Sequence, residues 1–392
     1  MEQTIKKQLK KIYLAARTKL LSALSAILRR EKLANLDLAE IEKILVVRID
    51  RIGDLVLSTP IFKNIKKAMP DCRLSVLANK TASVLLSNNP DVDDIIIYDP
   101  RRSIWKKIWG LLKLRSYHFD LAIDPYADYE LKTALITALA GAKKSIGYPS
   151  HGRQFLFNLP APELRSDRHF IEISLDLLAA CGISATEKLP EIFLTKAERQ
   201  WACQLLEAET NCSKSVIGIH PGAHYPSQRW PAEYHAQVID QLRRTEDVEF
   251  ILLGGHGDQD ELVAVQSCMT GSICAHVTSD IRQFAAIASL CQILVCNNSG
   301  PLHVAAAVKT PTLSFCGPTN YDRWLPVGAG HRVLRIHRLE CIGCQAAHCP
   351  IKTHDCMRLI KPAEVVAALK EMLSTGGAET CIAKHRDSIN SK

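Results

Sequence analysis

No stretch of about 18 uncharged apolar residues occurs in the chain, so nothing in it reads as a transmembrane helix. The phosphate-loop pattern G-x-x-x-x-G-K-[ST] is also missing. The nearest approach to a dinucleotide fingerprint, Gly255-His256-Gly257-Asp258-Gln259-Asp260, lacks its third glycine. These absences argue against a kinase, an ATPase and a dehydrogenase. Short internal repeats and low-complexity segments are absent too. With 47% apolar and 23% charged residues, the composition is that of an ordinary folded protein, not a fibrous or disordered one.

Acidic residues are nearly missing from the first 30 positions, where eight lysines and arginines face the single Glu2. The whole chain carries a formal charge of +8, so its remaining 362 residues are almost neutral. A globally basic protein would suggest nucleic acid; an excess confined to one segment suggests a surface instead, and no nucleic-acid partner is expected. Arg17 and Lys19 interrupt the apolar stretch and no small-residue cleavage site follows, so the segment does not read as a secretory leader. It reads as a basic amphipathic helix on an anionic membrane, with Leu14, Leu20, Leu21, Leu24 and Leu28 inward, or as a solvated extra helix packed on the domain. A second basic stretch, RRSIWKKIWGLLKLR at 101–115, has six positive charges, no acid, and Trp105 and Trp109 at helical spacing. It suits phosphorylated lipid at an interface, or an amphipathic helix with its tryptophans in the core.

Length predicts two domains, and the pattern agrees. From residue 43, short apolar runs alternate with helical segments: ILVVRI (44–49), RLSVLA (73–78), DIIIYD (94–99), FDLAID (119–124) and KSIGY (144–148). After a charged helical stretch at 195–210 the series restarts with SVIGIHPG (215–222), VEFILLGG (248–255), QILVCNNSG (292–300) and TLSFCG (312–317). Such alternation predicts parallel sheets covered on both faces. The expected organisation is an N-terminal extension over 1–40, a first domain over 41–194, a connector over 195–213, a second domain over 214–375 and a tail over 376–392.

Ligands of open parallel sheets sit beyond the carboxyl ends of the strands. The turns there carry Asp54, Asp124, His220-Pro221-Gly222, Gly254 to Asp258, and Asn297-Asn298-Ser299-Gly300. Gly53-Asp54 stands where a strand turns into a helix; on local sequence the carboxylate can cap that helix or act as a base. The turn 220–231 and the loop 297–307, which opens a helix, offer backbone N–H groups to phosphate oxygens, with Arg229 as a nearby cation. Two D-x-D triplets, Asp91-Val92-Asp93 and Asp258-Gln259-Asp260, are short enough to arise by chance as metal sites. Of 14 cysteines, which argue for a reducing compartment, four cluster as Cys341-x2-Cys344-x4-Cys349-x6-Cys356. They could hold a structural zinc or iron, with His348 as a substitute ligand, or staple a loop as free or paired thiols.

Across residues 43–370 these motifs, in this order, resemble glycosyltransferase family 9, the bacterial heptosyltransferases of lipopolysaccharide core assembly. The resemblance rests on ILVVRIDRIGDLVLSTP, IGIHPGAHYPSQRW, VEFILLGGHGD and ILVCNNSGPLHVAAA. It implies an α/β fold of two Rossmann-like parallel-sheet domains facing a cleft (GT-B type), and inverting transfer of heptose from ADP-heptose to a lipid-linked saccharide acceptor. No cofactor is required. It also implies a cytoplasmic protein, peripheral on the inner face of the bacterial inner membrane. The matching base is Asp54. The matching nucleotide-sugar contacts are His220, Gly222, Ala223, Gln228, Arg229, Asp258, Asn298, Ser299, Gly300 and His303, and the acceptor contacts are Arg51, Gly53 and Asp124. The sequence departs from the family twice: Gln228 stands where a lysine is usual, and Asn298 where an aspartate is usual. Those departures leave room for another nucleotide sugar or acceptor, or for a non-catalytic glycan- or nucleotide-binding relative.

Overall fold

The computed structural model describes residues 12–21, 23, 36–128, 130–165, 167–211 and 213–375. The chain divides into two compact units, 1–188 and 189–392. Leu24 and Leu28 of the expected N-terminal apolar face, and the tail 376–392, lie outside the described residues. No helix among the described residues is long and apolar enough to cross a membrane.

The first unit is built on five parallel strands: β1 (Lys43–Arg48), β2 (Arg73–Asn79), β3 (Asp94–Tyr98), β4 (Leu121–Asp124) and β5 (Lys144–Gly147). Their order is β3-β2-β1-β4-β5. The inner strands are continuous apolar runs because helices cover both faces, as the burial of Ile44 to Val47 shows. β3, at the edge, alternates half-buried and exposed residues. Pro60, in the first turn of the helix Thr59–Ala68, loses no hydrogen bond there because those N–H groups have no helical partner.

Residues 12–21 form a helix. Arg17 donates to the His151 carbonyl at 3.3 Å, and a side chain on Gly152 would meet the Thr18 backbone at 3.1 Å. Leu14, Thr18 and Leu21 share this inward face. Leu20, expected inward with them, is 63% exposed, because a period of 3.6 residues turns it away from Leu14 and Leu21.

In the second unit six parallel strands, β6 (Ser215–His220), β7 (Val248–Gly255), β8 (Cys274–Thr278), β9 (Ile293–Asn297), β10 (Thr312–Phe315) and β11 (Arg332–Leu334), run in the order β11-β10-β9-β6-β7-β8. The apolar runs in the sequence omit β8 and β11. These are the two edge strands, half-exposed and without a sustained apolar run. In each sheet the first strand is flanked by strands that belong to opposite directions of winding. The switch points, where open α/β sheets bind ligands, therefore fall between β1 and β4 and between β6 and β9.

The stretch expected to be a connector is the helix Lys196–Glu209, capped by Thr195 and part of the second unit. It packs on the helix Ile281–Leu290, and both carboxylate oxygens of Glu198 pair with the buried Arg282, which also donates to the Phe193 carbonyl. The apolar matches of a solvated connector and of a packed helix are alike; the ion pair separates them. Arg282 pulls Glu198 down to about 2, beating the upward push of burial. A carboxylate depressed in the folded state stabilises above its ordinary pKa and loses that contribution as pH falls through the depressed value. Glu198→Gln is expected to destabilise the second unit by on the order of 2 kcal/mol near neutral pH. In thermal denaturation its gap from the parent should narrow as pH is lowered from about 4.5 toward about 2.

Candidate active site

At the first switch point the chain leaves β1 with a fully buried arginine, Arg48. Its guanidinium lies 4.7 Å over the Phe170 ring, donates to Asp50 Oδ2 at 2.8 Å and to the Asp54 carbonyl at 3.3 Å, and places Nη2 3.9 Å from Asp54 Oδ1. Asn79, at the end of β2, donates to the Asp50 carbonyl and accepts from the Ala82 N–H. The turn after β1 is thus tied to its neighbours on two sides before the next helix begins.

That helix, Ile52–Val56, is one and a half turns long, and Asp54 is its third residue. The carboxylate accepts the Arg51 N–H at 3.3 Å, so the capping role open from the sequence is realised. Capping does not consume the group: its side chain keeps 17% exposure. Burial raises the proton affinity of Asp54, Arg48 opposes this, and Asp50 adds to it. A carboxylate held this way is a stronger base than one in water.

Of the expected acceptor residues, Arg51 is exposed beside Asp54 and Gly53 is buried within the same short helix. Asp124 is different. It has no exposed surface, accepts from Thr133 at 2.9 Å and from the Tyr126 N–H at 3.1 Å, and lies 3.9 Å from the buried Arg153. Burial, the largest influence, takes it up to about 6. It braces the loop after β4 from beneath and offers no surface to a ligand. Arg153 continues that brace by donating to the carbonyls of Tyr126, Glu130 and Tyr148.

At the second switch point Asn297, ending β9, accepts the Trp230 N–H at 2.9 Å and donates to the Pro221 and Gly222 carbonyls. One side chain thereby holds both ends of the 220–230 turn. Asp258 accepts the Gly255 N–H at 2.9 Å and stands 3.5 Å from His220. Burial would raise this carboxyl, but His220, the Gly255 N–H and Arg229 together hold it below its usual range. A side chain on Gly222 would meet Asp258 Cγ at 2.7 Å, so any larger residue there must push the Asp258 carboxyl aside. Asn298 and Ser299 lead into the helix Gly300–Ala307, within which His303 is buried, and Ala223 is buried in the turn after β6.

The expected cation, Arg229, is already engaged: it pairs with Glu261 and donates to the Ala223 carbonyl. Its structural task is to close the turn, and its charge is largely met by that carboxylate. Gln228 donates to the Thr319 hydroxyl and accepts the Tyr225 N–H, while Asn298 donates to the Trp324 carbonyl at 3.1 Å.

The four clustered cysteines share one neighbourhood. Burial lifts the Cys356 thiol to about 12, and Cys344, Cys349 and Cys341 add to the effect. They are not arranged as the expected ligand set: among the described residues no group of three or more His, Cys, Asp or Glu is placed to hold a metal ion. Cys349 instead accepts the His354 N–H, and Cys356 packs where a side chain on Gly317 would have to be. The segment buttresses the 220–230 turn, since Ser227 is bonded to Ala346, Ala347 and His354.

Arg48, Asp50 and Glu261 were not singled out by the sequence motifs. A charged residue inside the apolar run ILVVRI is the one signal that marks Arg48.

A family model for glycosyltransferase family 9 (heptosyltransferase) matches residues 109–354. Lipooligosaccharide heptosyltransferase 2 of Campylobacter jejuni is 29% identical over 167 residues, 41% of this chain and 51% of that one, so this chain spans about half of it. Lipopolysaccharide heptosyltransferase 2 of Salmonella typhimurium is 25% identical over 358 residues, 86% of this chain and 99% of that one. Among solved structures, Escherichia coli ADP-heptose LPS heptosyltransferase II superposes with a TM-score of 0.71 at 22% identity, over 85% of this chain and 98% of that one. Two parallel-sheet units of the GT-B class are what the motifs predict, and the fold agrees. With the family model covering well over half its length, the chain belongs to glycosyltransferase family 9 and is a glycosyltransferase.

Proposed function

We propose that this chain transfers heptose from ADP-heptose to the inner core of lipopolysaccharide, with inversion at the anomeric carbon, and that Asp54 is the base. The observation that carries the reading is Asp54 itself, a partly exposed carboxylate of raised proton affinity at the β1 switch point. The names of the matched relatives supply the sugar and the acceptor.

In the proposed reaction Asp54 takes the proton of the acceptor hydroxyl as its oxygen bonds to the anomeric carbon. The bond from that carbon to the diphosphate oxygen breaks, and ADP leaves carrying the electron pair. Arg51 and Gly53 bound the acceptor. His220, Gly222, Ala223, Gln228, Asn298, Ser299, Gly300 and His303 form the donor site, where the N–H groups opening the helix Gly300–Ala307 meet the diphosphate charge. Arg229 and Asp258 shape that site from behind. No step passes through the cysteine segment, and no cofactor is needed. The acceptor is lipid-linked, and the chain works as a peripheral protein at the cytoplasmic face of the inner membrane.

A second reading is favoured by one pair of residues. Gln228 and Asn298 are both neutral, so the same fold would suit a different nucleotide sugar. A panel of donors compared by release of nucleoside diphosphate separates the two: turnover with ADP-heptose alone supports heptose transfer, and preference for another donor supports the alternative.

Purified protein given ADP-heptose and lipopolysaccharide inner core should release ADP. Asp54→Asn is expected to lower kcat by about 10²- to 10⁴-fold with little change in donor affinity; equal rates would remove Asp54 as base. Because a base must be ionised, kcat/KM should fall as pH is lowered through a pKa above the ordinary aspartate value of about 4. Gly222→Ala should raise the donor Kd by about tenfold, since its methyl displaces Asp258. Combined with Asp258→Ala, which removes the obstructing carboxyl, the same change should have at most half that effect in free energy.

A further inference from the structure

The helix Ile104–Arg115 turns its tryptophans outward. Trp105 is 71% exposed, Trp109 72% and Leu112 51%, and their spacing of four and three residues sets them on one face. A tryptophan offers about 150–250 Å² of largely apolar surface, so leaving two side by side in water is unfavourable unless something covers them. Single exposed apolar residues are ordinary; contiguous ones mark contact surfaces.

The patch continues beyond this helix. Helix Ile104–Arg115 packs on helix Lys132–Leu139, whose Leu135 and Leu139 are also exposed. That helix in turn packs on the turn Gln154–Leu156, directly after the residues 151–152 that seat helix 12–21. On this third helix Ile12, Tyr13 and Leu20 face outward. Of the 13 large hydrophobic residues exposed among those described, eight lie on these three neighbouring helices. The concentration excludes chance scatter.

Charge decides what covers them. Residues 12–21, 101–115 and 132–139 together hold nine lysines and arginines and no acidic residue. A second copy of this chain would set like charge against like, and an apolar protein partner would leave these lysines and arginines unmatched. An excess of positive charge around exposed tryptophans matches a bilayer with anionic headgroups, whose surface attracts cations and whose boundary region accommodates indole rings.

We infer that these three helices form a membrane-docking face of the first unit, with Trp105, Trp109 and Leu112 entering the headgroup region of an anionic phospholipid bilayer. This deepens the reading of a lipid-linked acceptor and rests on it for the class of surface. It adds the element that docks, the lipid charge it requires and the residues that insert.

The test uses the full chain and vesicles of phosphatidylethanolamine with about a quarter phosphatidylglycerol, against vesicles of phosphatidylcholine alone. The full chain should sediment with the anionic vesicles at least about tenfold better than with the neutral ones, and less so as salt rises from about 0.05 to 0.5 M. Its tryptophan emission should shift to the blue on binding. Trp105→Ser with Trp109→Ser should reduce partitioning by at least about tenfold, and Lys106→Glu with Lys107→Glu should do the same. Both variants should keep the parent's melting temperature and its ADP release with a lipid-free core saccharide. Failure of the parent to bind anionic vesicles, or undiminished binding by the tryptophan variant, overturns the inference. So does self-association of the parent that the tryptophan variant abolishes while vesicles are not bound. Vesicle binding without ADP release from any acceptor would instead remove the heptosyltransferase reading and leave the docking face standing.

Discussion

A single buried cation organises the first unit's site. Arg48 is sealed from water, and a charge in that position persists only if opposite charge and hydrogen-bond acceptors surround it. Asp50, the carbonyl of Asp54 and the face of Phe170 supply them. The chain must therefore fold back on itself directly after β1, and that fold presents Asp54 at the surface. The same proximity tempers Asp54: burial and Asp50 favour its neutral form, Arg48 its charged form, and the balance leaves it basic but able to ionise.

The second unit fixes the turn at its switch point without a buried cation. Asn297, fully buried, binds three backbone groups of the turn after β6, and a neutral amide can satisfy both donors and acceptors there. Asp258 fixes the turn from the β7 side, in space that a side chain at 222 would contest. The two switch points thus share a topology and differ in chemistry. One holds a carboxylate near a cation; the other gathers backbone amides at a helix start. That difference suits a proton acceptor in one place and a diphosphate in the other.

Much of this was legible in the sequence. Interior strands of parallel sheets are long apolar runs, so ILVVRI, VEFILLGG and their like were visible, and the site loops followed because they begin where those runs end. The edge strands β8 and β11 escaped because half-exposed strands carry no such run. Arg48 lay hidden inside a strand pattern, where only the fold reveals which acceptors surround it. The adjacent Asn297 and Asn298 look equivalent in sequence, yet one stitches the turn and the other reaches Trp324. The face of the Trp105 helix was undecidable from spacing, since an inward and an outward stripe have the same period. Arg229 reads as a free cation in the sequence because its partner Glu261 lies 32 positions away.

Gln228 and Asn298 were met as two separate departures from the family, and their contacts make them one. Each is held by the segment 319–324, Gln228 through the Thr319 hydroxyl and Asn298 through the Trp324 carbonyl. An aspartate at 298 has no N–H to give that carbonyl and would turn oxygen against oxygen. With aspartate at 298 the Trp324 carbonyl would have to find another donor or the segment would have to shift. Segment 319–324 is therefore the common support of both side chains, and a change in its path reaches both.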